Sequence, residues 1–225
     1  MKDIEYKKHY VAFLDILGFK SIIKEKSCQE INDIFSNVKK PELYFFDGNK
    51  TISDNDYINF KIMSDNVIFY IDASIPDALT QLLTNCAVLQ ADLLSLNDPV
   101  LLRGAIVCDD LYYENENDII YGKALTNAYL LEEKNAKYPR IIIKKHDLNL
   151  DDEMQKIITY LDDDYYYSVN CYLAINRGKR ADAIIKTIRN RINNVLDTED
   201  DNSIREKYIY LQKRMNDFKM GDYNV

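Results

Sequence analysis

Two aspartates next to apolar runs are the residues of this chain best suited to metal chemistry. Asp15 lies in Val11-Ala-Phe-Leu-Asp-Ile-Leu-Gly-Phe-Lys20, which reads as an apolar strand turning into a helix. Asp65 lies in Ser64-Asp65-Asn66, between two further apolar runs. A buried, unpaired carboxylate is costly, so Asp15 needs a cation, a hydrogen-bond donor or a path to solvent. Hard divalent cations prefer carboxylate oxygens, and two clustered carboxylates favour a metal site over two unrelated strand-end aspartates.

Gly18 lies where the first strand gives way to the helix. Glycine lets the backbone approach a ligand closely, and the free N–H groups at a helix start bind anions. A carboxylate for a metal beside backbone amides for phosphate can bind a metal–nucleotide. Lys123 follows Gly122 at the start of another predicted helix, where it either meets phosphate or is an ordinary surface lysine. For Gly18, the competing interpretation is a glycine that serves only the turn.

The composition excludes some classes of function. The chain has 225 residues, 37 acidic against 29 basic side chains and a net charge of -8, which argues against a nucleic-acid partner. No apolar run is long enough to span a membrane, and no leader segment is visible. The four cysteines lack metal-site or disulfide spacing, so we expect small buried thiols in a reduced, cytoplasmic protein. The two histidines lack metal-ligand spacing and are expected at the surface.

Apolar periodicity and turn residues predict an α+β domain with a mixed sheet and helices on one face. The hairpin Tyr57–Ile71 carries Asp65 in its turn. Asp109–Asp118 reads as an acidic loop. The predicted strands are Tyr10–Leu17, Val100–Cys108 (interrupted at Arg103-Gly104) and Arg140–Ile143, and the helices are Ser21–Val38, Pro76–Leu96 and Ala124–Asn135.

The last third of the chain changes in character. It predicts a helix over Asp151–Leu161, a turn and one strand over Asp162–Leu173, and amphipathic helices over Ala181–Leu196 and Ser203–Phe218. We therefore divide the chain into a domain over residues 8–145 and a mostly helical C-terminal extension over residues 146–225. We expect the extension to pack on the same domain, and a separate domain is the alternative.

Three segments together resemble the catalytic domain of class III nucleotidyl cyclases. Phe13-Leu-Asp-Ile-Leu-Gly-Phe19 is similar to the family's F-x-D-I-x-G-F, and Lys61-Ile-Met-Ser-Asp65 is similar to K-x-x-G-D. The third segment runs from Arg103 to Arg140 and contains Tyr121-Gly-Lys-Ala-Leu-Thr-Asn-Ala-Tyr-Leu130 in place of a conserved helix. The resemblance covers residues 8–145 and implies a ferredoxin-like, palm-type sheet.

This resemblance implies a function and a set of site residues. Asp15 and Asp65 would be catalytic and would hold two Mg²⁺ or Mn²⁺ ions, with the Ile16 carbonyl as a further ligand. Lys61 would read the base, although an edge-strand lysine facing solvent is an equal alternative. The substrate would be a nucleoside triphosphate, and the products a 3′,5′-cyclic monophosphate and pyrophosphate. The family's site lies between two subunits, which implies a homodimer, and its bacterial relatives suggest signalling or defence.

The motif also gives Gly18 and Phe19 as substrate-binding residues, with core packing as the alternative for Phe19. Arg140 is a further source of positive charge for the substrate, as are Lys134 and Lys137. Lys123 completes the expected substrate-binding set.

The sequence departs from the family in the half of the site that stabilises the transition state. Ser64 replaces a glycine, and Leu130 occupies the position of the transition-state arginine. The family's asparagine falls on Thr126, or on Asn127 if the register slips by one. The base-reading aspartate has no match in register, since Asp118 is one residue out of step. The alternative function is therefore a degenerate module that binds a nucleotide or a protein effector without turnover.

Overall fold

The computed structural model describes residues 4–38, 58–114, 116–172 and 181–217. The strands are β1 (Lys7–Ile16), β2 (Asn59–Met63), β3 (Asn66–Asp72), β4 (Leu102–Glu114), β5 (Ile119–Tyr121), β6 (Ile141–Ile143), β7 (Thr159–Leu161) and β8 (Tyr167–Val169). The helices are α1 (Phe19–Glu25), α2 (Cys28–Val38), α3 (Ala78–Ser95), α4 (Lys123–Asn135), α5 (Asp152–Ile158), α6 (Ala181–Thr198) and α7 (Asn202–Asp217), with a 3₁₀ turn at Lys145–Asp147.

All eight of these strands belong to one mixed sheet. The order is β2-β3-β1-β4-β6-β8-β7, and β5 pairs with β4 outside that path. The pairs β1–β3, β1–β4 and β2–β3 are antiparallel, whereas β4–β6 is parallel. The first four strands thus form the ferredoxin-like arrangement in which β3 lies between β1 and β2. The structure confirms the predicted α+β fold with its palm-type sheet.

Strand β1 separates two apolar cores because successive side chains of a strand point to opposite faces. Ala12 and Leu14 pack in the core that contains helix α3. Val11 and Phe13 pack in a second core with Ala124, Ala128 and Leu131 of helix α4. Helix α4 therefore covers the face opposite α3, a detail in which the structure differs from the expected placement of helices on one face. Within the described ranges, no helix is long and apolar enough to cross a membrane.

Strand β4 is longer and more regular than the sequence predicts. It runs through Arg103-Gly104 without interruption, and Gly104 pairs with Leu14 of β1. A Cβ at this position would lie 2.6 Å from the Phe13 carbonyl oxygen, so the glycine allows β1 and β4 to approach this closely. The predicted loop at Asp109–Asp118 is wrong as far as Glu114, because β4 pairs there with the start of β1 and with β5. Lys8 lies 2.9 Å from both Asp109 and Asp110, which lowers the electrostatic cost of two adjacent acids in a strand.

Three smaller expectations also change. The predicted helix Ser21–Val38 is two helices, since the Ser27 hydroxyl and backbone N–H both donate to Glu30 and start a new helix there. All four cysteines are free, but Cys28 is exposed. His9, expected at the surface, is buried and contacts Tyr113 edge to face.

The C-terminal third contributes strands as well as helices. Strands β7 and β8 extend the sheet beyond β6, so backbone hydrogen bonds cross the boundary predicted at residues 145 and 146. The predicted helix at Asp151–Leu161 ends at Ile158, where β7 begins. Helices α6 and α7 pack in a third core, in which Ile188 and Leu211 meet Leu94 of α3. The division into two segments remains a prediction.

A buried charge network joins helix α7 to the root of β6. Asp162 lies between two guanidinium groups, 2.7 Å from Arg140 Nη1 and 2.9 Å from Arg214 Nη2, and it also accepts a hydrogen bond from the Tyr210 hydroxyl. Arg140 is 3% exposed and pairs with Asp164 as well. Burial opposes ionisation of Asp162, but these donors hold the pKa of its carboxyl below the ordinary value. The network fixes α7 against the sheet.

Removing the central carboxylate should destabilise the fold. Asp162→Asn leaves two buried cations undercompensated, and we expect it to lower the free energy of unfolding in urea by about 3–5 kcal/mol. The neighbouring Asp163, whose side chain is 80% exposed, provides the control Asp163→Asn, which should change stability little. Because the pKa of Asp162 is lowered on folding, its contribution is present at neutral pH and is lost as the pH falls through the folded-state pKa. Equal stability of both variants would contradict this role.

Candidate functional site

Asp15 is held in an ion pair at the end of strand β1. Its Oδ2 accepts a hydrogen bond of 2.8 Å from Arg103 Nε, and the two residues are direct cross-strand partners on β1 and β4. Directly opposite residues project from the same face of an antiparallel pair. The Asp15 side chain is 17% exposed, so it retains a path to solvent. The carboxylate in the apolar run thus has a cationic partner.

Glu132 gives Arg103 a second anionic partner. Its Oε1 lies 2.7 Å from Arg103 Nε, although the N–H bond itself is aligned with Asp15. The Glu132 side chain is 3% exposed and has no hydrogen-bond partner at Oε1. Burial raises the pKa of Glu132 to about 7, although the nearby positive charge of Arg103 acts to lower it. One guanidinium therefore serves two carboxylates, and only one of them makes a well-aligned hydrogen bond.

Asp65 lies beside the end of β1, in the two-residue turn between β2 and β3. The Ile16 N–H donates to the Asp65 carbonyl oxygen at 3.0 Å, which joins the two predicted metal-binding segments directly. Asn66 pairs with Asp15 across the sheet and donates its Nδ2 to Asp65 Oδ1 at 3.2 Å. Ser64 has a φ of 58°, a left-handed conformation that explains why glycine is preferred at this position. The structure thus brings the segments of Asp15, Ile16 and Asp65 together.

Gly18 and Phe19 have different roles. Gly18 is exposed and has a φ of 75°, the conformation that most favours glycine. Phe19 is 6% exposed and packs edge to face on Phe35, in the core under α3. The Phe19 side chain therefore faces the core rather than a ligand.

Lys61 is paired with Asp118. The Lys61 ammonium donates to Asp118 Oδ1, and the Asp118 backbone has a φ of 59°. Lys61 pairs with Ile68, which pairs with Phe13, so it shares the sheet face of Asp15. The strand rise and spacing place Lys61 roughly 12 Å from Asp15. In the sequence, Asp118 is one residue out of step with the base-reading aspartate of the cyclase motif. In the structure, its backbone is left-handed and its carboxylate contacts Lys61.

Two expected substrate-binding residues have other partners. Lys123 is mostly exposed and lies 3.6 Å from Asp110, far along β4 from Arg103. Arg140 is buried in the network of Asp162 and Asp164. Neither cation lies in the group formed by Asp15, Arg103 and Glu132.

The positions expected to stabilise a transition state carry no cation. Leu130 is 36% exposed on helix α4. The hydroxyl of Thr126 donates to the Gly122 carbonyl oxygen, and Asn127 Nδ2 donates to Asp109 at 3.1 Å. Arg103 contacts Asp15 directly, and it comes from the strand opposite Asp15 rather than from α4.

The oxygen donors at this site suit a Mg²⁺ or Mn²⁺ ion that also binds a nucleotide phosphate, rather than an ion held by protein groups alone. In the described ranges, no three His, Cys, Asp or Glu side chains form a group able to hold a metal. Mg²⁺ in nucleotide sites is bound by one or two carboxylates, and phosphate and water complete its coordination. Asp15, Asp65 and the Ile16 carbonyl match that pattern.

The sequence alone did not identify Glu132 as a site residue, and it did not identify the contact between Asp118 and Lys61. Glu132 occupies a buried position of an amphipathic helix, where a carboxylate is unusual, and that was the one available signal. Its partner Arg103 lies far away in sequence, and only the register of β1 with β4 places it beside Asp15.

Comparisons with known proteins support the fold. No protein-family model and no curated protein matches the sequence. The crystal structure of the monomeric guanylyl cyclase domain of the RhoGC fusion protein from Blastocladiella emersonii is 16% identical with a TM-score of 0.53, covering 73% of this chain and 95% of that one. The catalytic core of a rhodopsin-guanylyl cyclase with converted specificity, in complex with ATPαS, is 14% identical with a TM-score of 0.54, covering 75% and 98%. The chain has a class III nucleotidyl cyclase-like fold.

The buried carboxyl of Glu132 should make stability depend on pH. The folded chain keeps this proton up to a pH of about 7, whereas the unfolded chain releases it near 4.5. The free energy of unfolding should therefore fall as the pH rises through that interval, and Glu132→Gln should remove that part of the fall. Urea titrations from pH 5 to pH 8 test this, with Glu133→Gln at the exposed neighbouring position as the control. Identical pH profiles for wild type and Glu132→Gln would refute it.

Proposed function

We propose that this protein is a metal-dependent nucleotidyl cyclase that converts a nucleoside triphosphate to a 3′,5′-cyclic monophosphate and pyrophosphate. The observation that carries the proposal is the junction of the Asp15 and Asp65 segments at one end of a cyclase-like sheet. Asp15 lies on β1, and Asp65 lies in the turn that β1 contacts through the Ile16 N–H. A cation shared by the two carboxylates would offset the repulsion between like charges brought to one site.

Asp15, Asp65 and the Ile16 carbonyl would hold Mg²⁺ or Mn²⁺, two ions per site. Bound there, such ions would activate the ribose 3′ hydroxyl and stabilise the leaving oxygens. In the proposed reaction the 3′ oxygen would form a bond to the α-phosphorus, the bond to pyrophosphate would break, and the hydroxyl proton would pass to solvent. The protein's task is to position the triphosphate against Asp15 and Asp65. The exposed, left-handed Gly18 leaves the adjoining backbone open to phosphate.

Arg103 would change partners when the site is loaded. It is paired with Asp15 in the described structure, and a cation bound by Asp15 takes over the role of counter-charge. Glu132 would still hold the guanidinium near the site. The N–H groups of Arg103 that are no longer paired with Asp15 would then donate to phosphate oxygens, for which the geometry of a guanidinium is well suited. Arg103 is thus our candidate for the positive charge that the sequence lacks at Leu130.

Lys61 and Asp118 would recognise the base. An ammonium donates to a ring nitrogen or carbonyl of a nucleobase, and a carboxylate accepts from an amino or ring N–H group. The ion pair between them keeps both groups in place before the base arrives. The common bases differ in where their donors and acceptors lie, so the pair would favour the bases whose groups meet both side chains.

We further propose that the working enzyme is a cytoplasmic homodimer in bacterial or phage nucleotide signalling or defence. The family resemblance supports the dimer, because a site shared by two subunits would bring Lys61 and Asp118 of one copy to Asp15 and Asp65 of the other. The separation of roughly 12 Å between Lys61 and Asp15 within one chain is also within reach of one nucleotide.

A second candidate function is nucleotide or effector binding without turnover. Its support is the absence of a cation at Leu130, Thr126 and Asn127, together with the burial of Arg140. Such a module would use Asp15, Asp65 and Lys61 for binding only. Recovery of intact triphosphate from a tight complex would favour this candidate over the cyclase.

Removal of either predicted metal ligand should abolish turnover. We expect Asp15→Ala and Asp65→Ala to lower cyclic nucleotide formation at least about 100-fold, because transition-state charge then lacks its counter-ion. Each of the four triphosphates is incubated with Mn²⁺ or Mg²⁺, and cyclic product and pyrophosphate are quantified by mass spectrometry. Asp98→Ala, at a surface position paired with Lys26, is the control. Unchanged consumption of triphosphate in Asp15→Ala would sink the proposal.

Loss of the base-recognition pair should affect substrate binding more than chemistry. Lys61→Ala and Asp118→Ala should each raise KM about tenfold and weaken the preference among bases, since one hydrogen bond to the base is lost. The value of kcat should change less, because neither group touches the phosphates. Steady-state kinetics with all four triphosphates measure both quantities, and Lys123→Ala serves as an exposed lysine control. An unaltered base preference in both variants would remove this pair from the site.

A further inference from the structure

Asn66 lies between the two carboxylates of the candidate site. It pairs directly with Asp15 across β1 and β3, and it follows Asp65 in the chain. Opposite residues of an antiparallel pair have Cβ atoms about 4.5–5.5 Å apart on one face of the sheet. The Asn66 side chain therefore begins on the same face as Asp15, and its amide also reaches Asp65.

The amide makes a specific contact. Asn66 Nδ2 donates to Asp65 Oδ1 at 3.2 Å in a partly buried setting. The backbone of Asp65 is fixed independently, since its carbonyl oxygen accepts from the Ile16 N–H at 3.0 Å. Backbone and side chain of Asp65 are thus each fixed by one hydrogen bond, the first from β1 and the second from Asn66.

Asparagine is an unusual residue for this position. It begins strand β3, and asparagine is depleted in strands, where β-branched and aromatic residues are favoured. Its other cross-strand partner is the exposed Met63, which offers no polar contact in that pair. A residue that opposes local propensity needs another reason, and functional sites are where such conflicts occur. The hydrogen bond to Asp65 supplies that reason.

We propose that Asn66 is a positioning residue, whose amide N–H holds the Asp65 carboxylate in the orientation that lets it share a divalent cation with Asp15. The inference rests on the proposed function of the site. A carboxylate in a two-residue turn rotates freely unless it is fixed, and its repulsion from Asp15 would turn it away. Groups that orient metal ligands typically change metal affinity or activity 10–100-fold when they are removed.

Mn²⁺ binding to the protein, followed by electron paramagnetic resonance with inorganic triphosphate present to complete the coordination, tests this role. We expect Asn66→Ala to weaken Mn²⁺ binding about 10–100-fold. Asn66→Leu keeps nearly the same volume and the same charge but has no donor, and it should weaken binding at least as much. Asn59→Ala, on the same hairpin at the far end of β2, is the control and should bind like wild type. Thermal melts verify that each variant is folded.

The outcomes separate the inference from the function on which it rests. Wild-type Mn²⁺ affinity in Asn66→Leu would mean that the amide donor is not needed, which overturns the positioning role. Wild-type affinity in Asn66→Ala, with affinity lost in Asp65→Ala, would overturn the inference and leave the proposed function standing. Failure of the wild type itself to bind Mn²⁺ would overturn both.

A kinetic measurement supplies a second readout. If Asn66 acts through metal binding, cyclase activity of Asn66→Ala should return to within about threefold of wild type at saturating Mn²⁺. The concentration of Mn²⁺ for half-maximal activity should rise about 10–100-fold. A loss of kcat that saturating Mn²⁺ does not restore would contradict a role in metal binding.

Discussion

The ion pair between Asp15 and Arg103 is the constraint on which the candidate site depends. A carboxylate that ends a buried strand requires a counter-charge, and the sheet supplies it from the strand directly opposite. Glu132 of helix α4 lies against the same guanidinium, and burial raises the pKa of its carboxyl to about 7. Arg103 thus joins the carboxylate at the end of β1 to helix α4 on the same face of the sheet.

The C-terminal third shows how positive charge is used elsewhere in the chain. Arg140 lies at the root of β6, and its carbonyl oxygen accepts from the N–H of Gly104, next to Arg103. Its side chain points into a different environment, where Tyr138 and Tyr210 stack with centroids 4.8 Å apart and Asp162 and Asp164 accept its hydrogen bonds. A guanidinium buried against these two acids stabilises the attachment of α7 and is not available to a ligand.

The successes and errors of sequence interpretation have a common physical basis. The apolar strand at Asp15, the hairpin at Asp65 and the helices α3 and α4 were predictable, because their signals are local: periodicity, turn residues and a breaker at Pro99. The acidic run Asp109–Glu114 was misread as a loop. Its charges resemble a solvated turn, but Lys8 and the backbone of β1 and β5 make it a strand. Long-range pairing overrode local composition.

By itself, the sequence determined the fold class, most of the elements and the two aspartates that define the candidate metal site. Each of these follows from residues that are neighbours along the chain. Only the tertiary structure decided the partners: Arg103 and Glu132 for Asp15, Asp118 for Lys61, and Asp162 for Arg140. Strand register and backbone conformation create these contacts between residues that are distant in sequence. The sequence shows how many charged side chains the chain has, whereas packing determines which of them form pairs.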